Sequence, residues 1–248
     1  MAKLGIVDWG IGGIGIYKLI KERRGGVPVL YFSDTGVTPY GKMTRQELVA
    51  RLNTVMSFLK SQGVTHIVIG CNAASTAIPQ LCPEGLILEG VIDSAVNATL
   101  RLKPKRLGLI GGRRTVMSGV YRMAFAKHGI MVSQRIAQPL SGLIESGDVL
   151  SEKLRAECKR ILAPLENCSH ILLACTHYPA IISVMKDFVS PETIFIDPAE
   201  QLFIQVLQWK VTAGGRDVFI TTGDTKAMKM SALKAFSCDI PKPEKVSI

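Results

Sequence analysis

SHILLACTHYP, residues 169–179, reads first as a buried strand with a cysteine at its end. A free thiol packs like a small hydrophobe, so a strand-end cysteine is ordinarily core filler. Cys175, however, is followed at once by Thr176, His177, Tyr178 and Pro179, which bring hydroxyls, an imidazole and a fixed bend. The same pattern stands earlier in the chain. THIVIGCNAAST, residues 65–76, sets Cys71 after an equivalent aliphatic run, 104 positions before Cys175.

Other segments repeat at nearly the same offset. Leu4–Val7 matches Leu107–Ile110, and Val91-Ile92-Asp93 matches Phe195-Ile196-Asp197. Between the strands, Thr44–Gln62 reads as a helix. Thr44 and Glu47 form a capping box, Leu48, Leu52, Val55, Met56 and Leu59 make one face, and Gly63 ends it. Strands alternating with helices predict an α/β protein with mostly parallel sheets flanked by helices. Two copies of about a hundred residues predict two pseudo-symmetric lobes rather than a solenoid. The expected division is lobe 1 from residues 1–97 and 205–248, with Asp8 and Cys71, and lobe 2 from 98–204, with Cys175 and His177. In open parallel sheets ligands bind at the carboxyl ends of strands. Asp8, Cys71, Asp93, Cys175 and Asp197 are all expected there, so the two thiols should approach one cleft from opposite sides.

Composition narrows the function class. The chain has 248 residues, 47% hydrophobic and 20% charged, which suits a folded protein with a sizeable core. The first residues show no apolar signal segment, and no stretch reads as a membrane span, so a cytoplasmic setting is expected. The six cysteines lack a CxxC pair and are expected as reduced thiols. The formal charge of +10 raises nucleic acid as a partner. Its basic residues are scattered in small groups (Lys21–Arg24, Lys103–Arg106, Arg113 and Arg114), and only 6% of residues are aromatic, so stacking platforms are scarce. The expectation is a solvated basic surface that draws in a small anion, with no nucleic-acid partner.

Two thiols flanking a carbon allow one to remove a proton from one face while the other returns a proton to the opposite face. No cofactor-lysine motif or metal cluster is evident, so preorganised hydrogen bonds would have to stabilise the carbanion. Asn72, Ser75, Thr76 and Thr176 are the candidate donors. SDTGVTPYG (33–41), GCNAAST (70–76), GVID (90–93), TVMSGVY (115–121), ACTHYP (174–179) and TTGD (221–224), with Asp8 and the glycines after it, resemble the glutamate racemase family of the aspartate/glutamate racemase superfamily. The resemblance implies two α/β lobes, no cofactor and no metal, and a two-base proton transfer at the α-carbon of a small anionic amino acid. It implies that Cys71 acts on the D-enantiomer and Cys175 on the L-enantiomer, assisted by Asp8 and His177. It further implies substrate contacts from Pro39, Tyr40, Gly41, Asn72 and Thr176, a homodimer, and a place in peptidoglycan biosynthesis. Two positions depart from the family pattern. Trp9 stands where the family has serine, and Ala73 stands where it has threonine. Both positions are expected to face substrate, and the loss of two hydroxyls points to an acidic or related amino acid that need not be glutamate. Aspartate, another amino acid, maleate and a hydantoin are the alternatives within the superfamily.

Two other classes compete. Gly10-Ile11-Gly12-Gly13-Ile14-Gly15 fits G-x-G-x-x-G after a strand, with Asp34 nineteen residues beyond, as in a dinucleotide site. Asp8 just before the glycines opposes a pyrophosphate, and that reading leaves both thiols without a role. A non-catalytic binder using the +10 charge is the other class, and retention of both cysteines counts against it. Cys82, Cys158, Cys168 and Cys238 read as inert. His66 and His170 read as structural hydrogen-bonders, and His128 as a surface turn.

Overall fold

The computed structural model describes residues 3–211 and 214–248. In chain order, β1 (Leu4–Asp8), α1 (Ile14–Arg23), β2 (Val29–Ser33), α2 (Arg45–Ser61), β3 (His66–Ile69), α3 (Asn72–Ser75) and β4 (Ile87–Gly90) come first. The helix α4 (Val91–Leu102) leads to β5 (Leu107–Gly111), α5 (Arg113–Met117), α6 (Val120–Ala126), β6 (Val132–Ile136), α7 (Gln138–Glu145), α8 (Glu152–Leu162), β7 (His170–Ala174), α9 (Ile182–Met185) and β8 (Ile194–Ile196). The chain closes with α10 (Ala199–Leu207), β9 (Val218–Thr221), α11 (Thr225–Phe236) and β10 (Glu244–Lys245).

Two parallel sheets result. One has the order β10-β9-β2-β1-β3-β4 and the other β6-β5-β7-β8. Every residue of β1, β2 and β5 is buried, which is why these strands are unbroken rather than alternating in polarity. The edge strand β6 alternates half-buried with exposed residues, as an uncovered edge requires. The two halves share more than strand order. Leu4 lies opposite Val29 and His66, and Leu107 lies opposite Val132 and His170. The expected α/β architecture of two similar, mostly parallel sheets flanked by helices is present.

The equivalence drawn for Val91-Ile92-Asp93 is wrong. Those residues form the first turn of α4, and the true counterpart of β8 is β4, since His66 faces Ile87 as His170 faces Ile194. The cause is local. Gly90 is extended, the Ser75 hydroxyl accepts the Val91 N–H at 3.2 Å, and Val91, Ile92, Ala95, Val96 and Thr99 then bury one helical face. Asp93 consequently points outward and is exposed. The helix ends at Lys103, a left-handed cap with φ 48, just before Pro104.

The C-terminal segment completes the six-stranded sheet, with β9 running parallel beside β2. Phe219 on β9 stacks on Tyr31 and meets Tyr17 edge-on, burying all three rings in one cluster. The helix predicted after Thr44 is α2, with both halves of its capping box formed, a device worth about 1 kcal/mol. All six cysteines are unpaired thiols. No helix among the described residues is long and apolar enough to cross a membrane.

Candidate active site

The ends of β1, β3, β5 and β7 converge on a cavity of about 250 Å³ between the two sheets. The residues expected as catalytic or substrate-binding from the family resemblance line it: Asp8 and Trp9, Pro39 to Gly41, Cys71 to Ala73, and Cys175 to His177. At roughly 30 Å³ per water, this is space for a molecule of about eight to ten heavy atoms.

On one wall, the Cys175 Sγ lies 3.4 Å from the Ser141 Oγ and 3.6 Å from the His177 Nδ1. His177 Nε2 meets the Glu145 Oε2 at 2.6 Å, and that same oxygen accepts the Ile11 N–H at 2.9 Å. Burial is the largest single influence on His177 and disfavours its charge. The Cys175 sulfur and the Glu145 carboxylate together outweigh it, holding the imidazolium well above the ordinary histidine range. Neither Ser141 nor Glu145 was singled out from the sequence. They stand four residues apart on α7, among the buried Leu140 and Ile144, and polar residues at that spacing on an otherwise apolar helix were the available signal.

The opposite wall is differently charged. Cys71 is the residue from which α3 starts. Its thiol is pushed well up, first by burial and then by the negative charge of Asp8, against a weaker pull from the Ala73 and Ala74 backbone N–H groups. A helix start ordinarily lowers a thiol, but at Cys71 burial and Asp8 outweigh it. Asp8 is itself fully buried and raised by desolvation, while His177 and the Thr176 hydroxyl favour its charge. The Thr176 Oγ1 donates to the Asp8 Oδ2 at 2.9 Å, joining the two lobes across the cavity floor. Asn72 accepts the Tyr121 hydroxyl at 2.6 Å on its Oδ1, and its buried Nδ2 has no partner among the described residues.

Several expected groups are used differently. The Ser75 hydroxyl donates to the Ile69 carbonyl and Thr76 donates to the Ala73 carbonyl, so neither reaches the cavity. Tyr40 lines the cavity, but its hydroxyl donates away, to Asp34, at 2.7 Å. The Trp9 indole donates to the Val37 carbonyl at 3.1 Å, which fixes the ring against the loop that carries Pro39 and Tyr40. Arg114, expected on a solvated surface, is half-buried and lines the cavity.

The glycine run has a physical reason other than a pyrophosphate. A Cβ on Gly10 would strike the Glu145 carboxylate, and one on Gly12 would strike Thr176, with the His177 Nδ1 at 2.7 Å and the Asp8 Oδ2 at 2.9 Å. The glycines therefore let Glu145, Thr176 and His177 approach the β1 loop. Asp34, the acid that a dinucleotide site would turn toward a ribose, is buried and fully engaged. It takes the Arg51 guanidinium at 2.6 and 2.8 Å, with hydroxyls from Tyr40 and Thr222. It anchors the 35–41 loop, and removing Arg51 would cost about 3–5 kcal/mol by leaving a buried carboxylate unpaired. Asp197 is likewise structural, accepting the Ala199 N–H at 2.9 Å. His66 and His170 bond the neighbouring Thr65 and Ser169 hydroxyls, as read from the sequence. Among the described residues, no group of three or more His, Cys, Asp or Glu side chains could hold a metal ion.

Comparison with known proteins adds an independent line. Residues 15–203 match the family model described as Asp/Glu/hydantoin racemase. The glutamate racemase of Synechococcus sp. (strain CC9605) is 32% identical over 200 residues, covering 79% of this chain and 75% of that protein. The crystal structure of glutamate racemase from Thermus thermophilus in complex with β-chloro-D-alanine superposes with a TM-score of 0.86 at 26% identity, covering 100% of this chain and 97% of the other. A glutamate racemase isoform from Bacillus anthracis has the same fold, with a TM-score of 0.88 at 23% identity and coverage of 100% and 98%.

Proposed function

The chain belongs to the Asp/Glu/hydantoin racemase family, and we propose that it inverts the α-carbon of an acidic amino acid, as a glutamate racemase does, without a cofactor, using Cys71 and Cys175 as the two acid–base groups. The observation that carries this reading is the pair of thiols at equivalent strand ends, lining one cavity from two lobes. In the L-to-D direction, Cys175 enters as the thiolate and takes the α-proton, while Cys71 enters as the thiol and protonates the opposite face. The reverse direction exchanges the roles. Burial and Asp8 favour the protonated form of Cys71, which is the form that delivers a proton to make the D-enantiomer.

The remaining groups divide the substrate between them. Asp8 takes the α-ammonium, whose positive charge also relieves the pressure that Asp8 puts on Cys71. The free Nδ2 of Asn72 donates to the α-carboxylate, where negative charge grows as the carbanion forms. Thr176 holds Asp8 in place, and its oxygen keeps lone pairs for the ammonium. Glu145 and His177 orient and charge the Cys175 side of the cavity. Lobe limits at residues 97/98 and 204/205, a homodimeric assembly and a cytoplasmic setting belong to the same proposal.

Solvent-deuterium incorporation at the α-carbon tests it. D- and L-glutamate, aspartate and neutral amino acids are incubated with the wild type and with Cys71→Ala and Cys175→Ala. The expected result is deuterated product from an acidic amino acid and no racemisation by either variant. Racemisation unchanged in both variants, or no exchange with any amino acid, refutes the reading.

A further inference from the structure

Arg114 is held in an unusual electrostatic setting. Its Nε donates to the Tyr40 carbonyl at 3.0 Å, reaching from α5 across to the loop of the other lobe. Arg45 is held in a similar way, its Nη1 donating to the Thr76 carbonyl. Neither guanidinium forms an ion pair with a carboxylate among the described residues. Both also line a shallow depression that adjoins the cavity at Gly41. The Arg114 charge is disfavoured by burial first and by Arg45 second, with Glu47 acting weakly the other way. Burial without a carboxylate partner is the larger influence disfavouring the Arg114 charge at the cavity wall, and a bound anion would offset it.

The rest of the cavity gives that anion a definite identity. Asp8 and Asn72, beside the thiols, suit the ammonium and carboxylate of an amino acid's α-centre. Trp9 and Ala73 bring no hydroxyl to hold a polar side chain. Arg114 lines the same cavity, and its two Nη groups have no hydrogen-bond partner among the described residues, which leaves them for a planar, bidentate partner. We propose that Arg114 is the specificity-determining residue of this site, its guanidinium holding the distal carboxylate of the amino acid whose α-carbon lies between Cys71 and Cys175. This inference rests on the racemase reading and names the substrate feature that reading leaves open. The exposed Lys42 at the cavity rim adds a solvated charge without a fixed geometry.

Glutamate and glutamine differ at this distal group and little in shape, so their ratio reads the proposal. The α-deuterium exchange kcat/KM is measured for both in the wild type, Arg114→Ala, Arg114→Lys and the neighbouring Arg113→Ala. The wild type favours glutamate, the ratio falls at least tenfold in Arg114→Ala, and Arg114→Lys gives an intermediate ratio. Arg113→Ala stays within about twofold of wild type. Each ratio is taken within one preparation, so loss of folded protein cancels, and Arg114→Lys carries the test if the alanine variant fails to fold. Equal losses for glutamate and glutamine would place Arg114 on the α-carboxylate and overturn the proposal, as would a wild type without preference. Exchange of neither amino acid, nor of any other in the panel, is the different outcome that refutes the racemase reading itself.

Discussion

Cys71 and Cys175 end equivalent strands of two similarly built sheets, yet their surroundings carry opposite charge. Cys71 faces the buried carboxylate of Asp8 and is held toward its thiol form. Cys175 sits beside the Ser141 hydroxyl and a histidine whose positive charge is favoured by the Cys175 sulfur and by Glu145. The strands supply two symmetric positions, while the β1 loop and α7 supply asymmetric charge. At each turnover one sulfur must enter protonated and the other ionised, with the roles exchanged in the reverse direction, and the unequal charge sets which form Cys71 favours at rest.

The largest effect that would break the comparison is loss of either sulfur. Cys71→Ala and Cys175→Ala should each lower racemisation by about 10³-fold or more, measured by circular dichroism of the product. The two variants should then differ in kind. Cys71→Ala keeps Cys175 and should still wash the α-proton out of the L-enantiomer, whereas Cys175→Ala should do so only with the D-enantiomer. Identical behaviour of both variants toward both enantiomers contradicts separate faces.

A smaller change should sharpen the asymmetry. Glu145→Gln removes the carboxylate that charges His177, a contact worth about 1.5–3 kcal/mol, or roughly tenfold to a hundredfold in rate. Added to Cys71→Ala, Glu145→Gln should slow α-proton wash-out from the L-enantiomer, where Cys175 is the base, more than it slows wash-out from the D-enantiomer when added to Cys175→Ala. Smaller still is the pH effect. Because burial and Asp8 raise the Cys71 thiol, its thiolate share grows as pH rises, so α-proton wash-out from the D-enantiomer by Cys175→Ala, which relies on Cys71 alone, should keep increasing into the alkaline range; a rate flat with pH contradicts the raised thiol.

How much of this was readable in the sequence depends on the range of the interaction. Buried parallel strands demand unbroken aliphatic runs, so the repeat, both thiols and the cavity-lining loops stood out. The triplet Val91-Ile92-Asp93 misled because three residues cannot distinguish a short strand from the first turn of an apolar helix face. Ser141 and Glu145 carry only an i, i+4 spacing, and nothing local says that α7 turns toward the cavity. Thr176 looked like a free substrate donor because its partner, Asp8, lies 168 residues away. Arg114 sat in a basic pair that read as surface, and only the approach of the Tyr40 carbonyl turns it inward.

The smallest expected effect concerns stability. His177 is raised above its unfolded value, so between about pH 6.5 and its native value the folded state binds more protons than the unfolded state. Its stabilising contribution is complete below pH ~6.5 and is lost as pH rises through the native value. Urea midpoints across that range should fall with pH in the wild type, and fall less steeply in Glu145→Gln.

The central claim is that two thiols work on opposite faces of one carbon, and the initial destination of solvent deuterium tests it most directly. L-Substrate is converted in D₂O and sampled at low conversion, with product and remaining substrate separated and their α-positions read by mass spectrometry. Deuterium should appear in the D-product from the first sample, with the unreacted L-substrate still protiated. Deuterium accumulating in the L-substrate as fast as in the product would mean that one group serves both faces, and would contradict that claim.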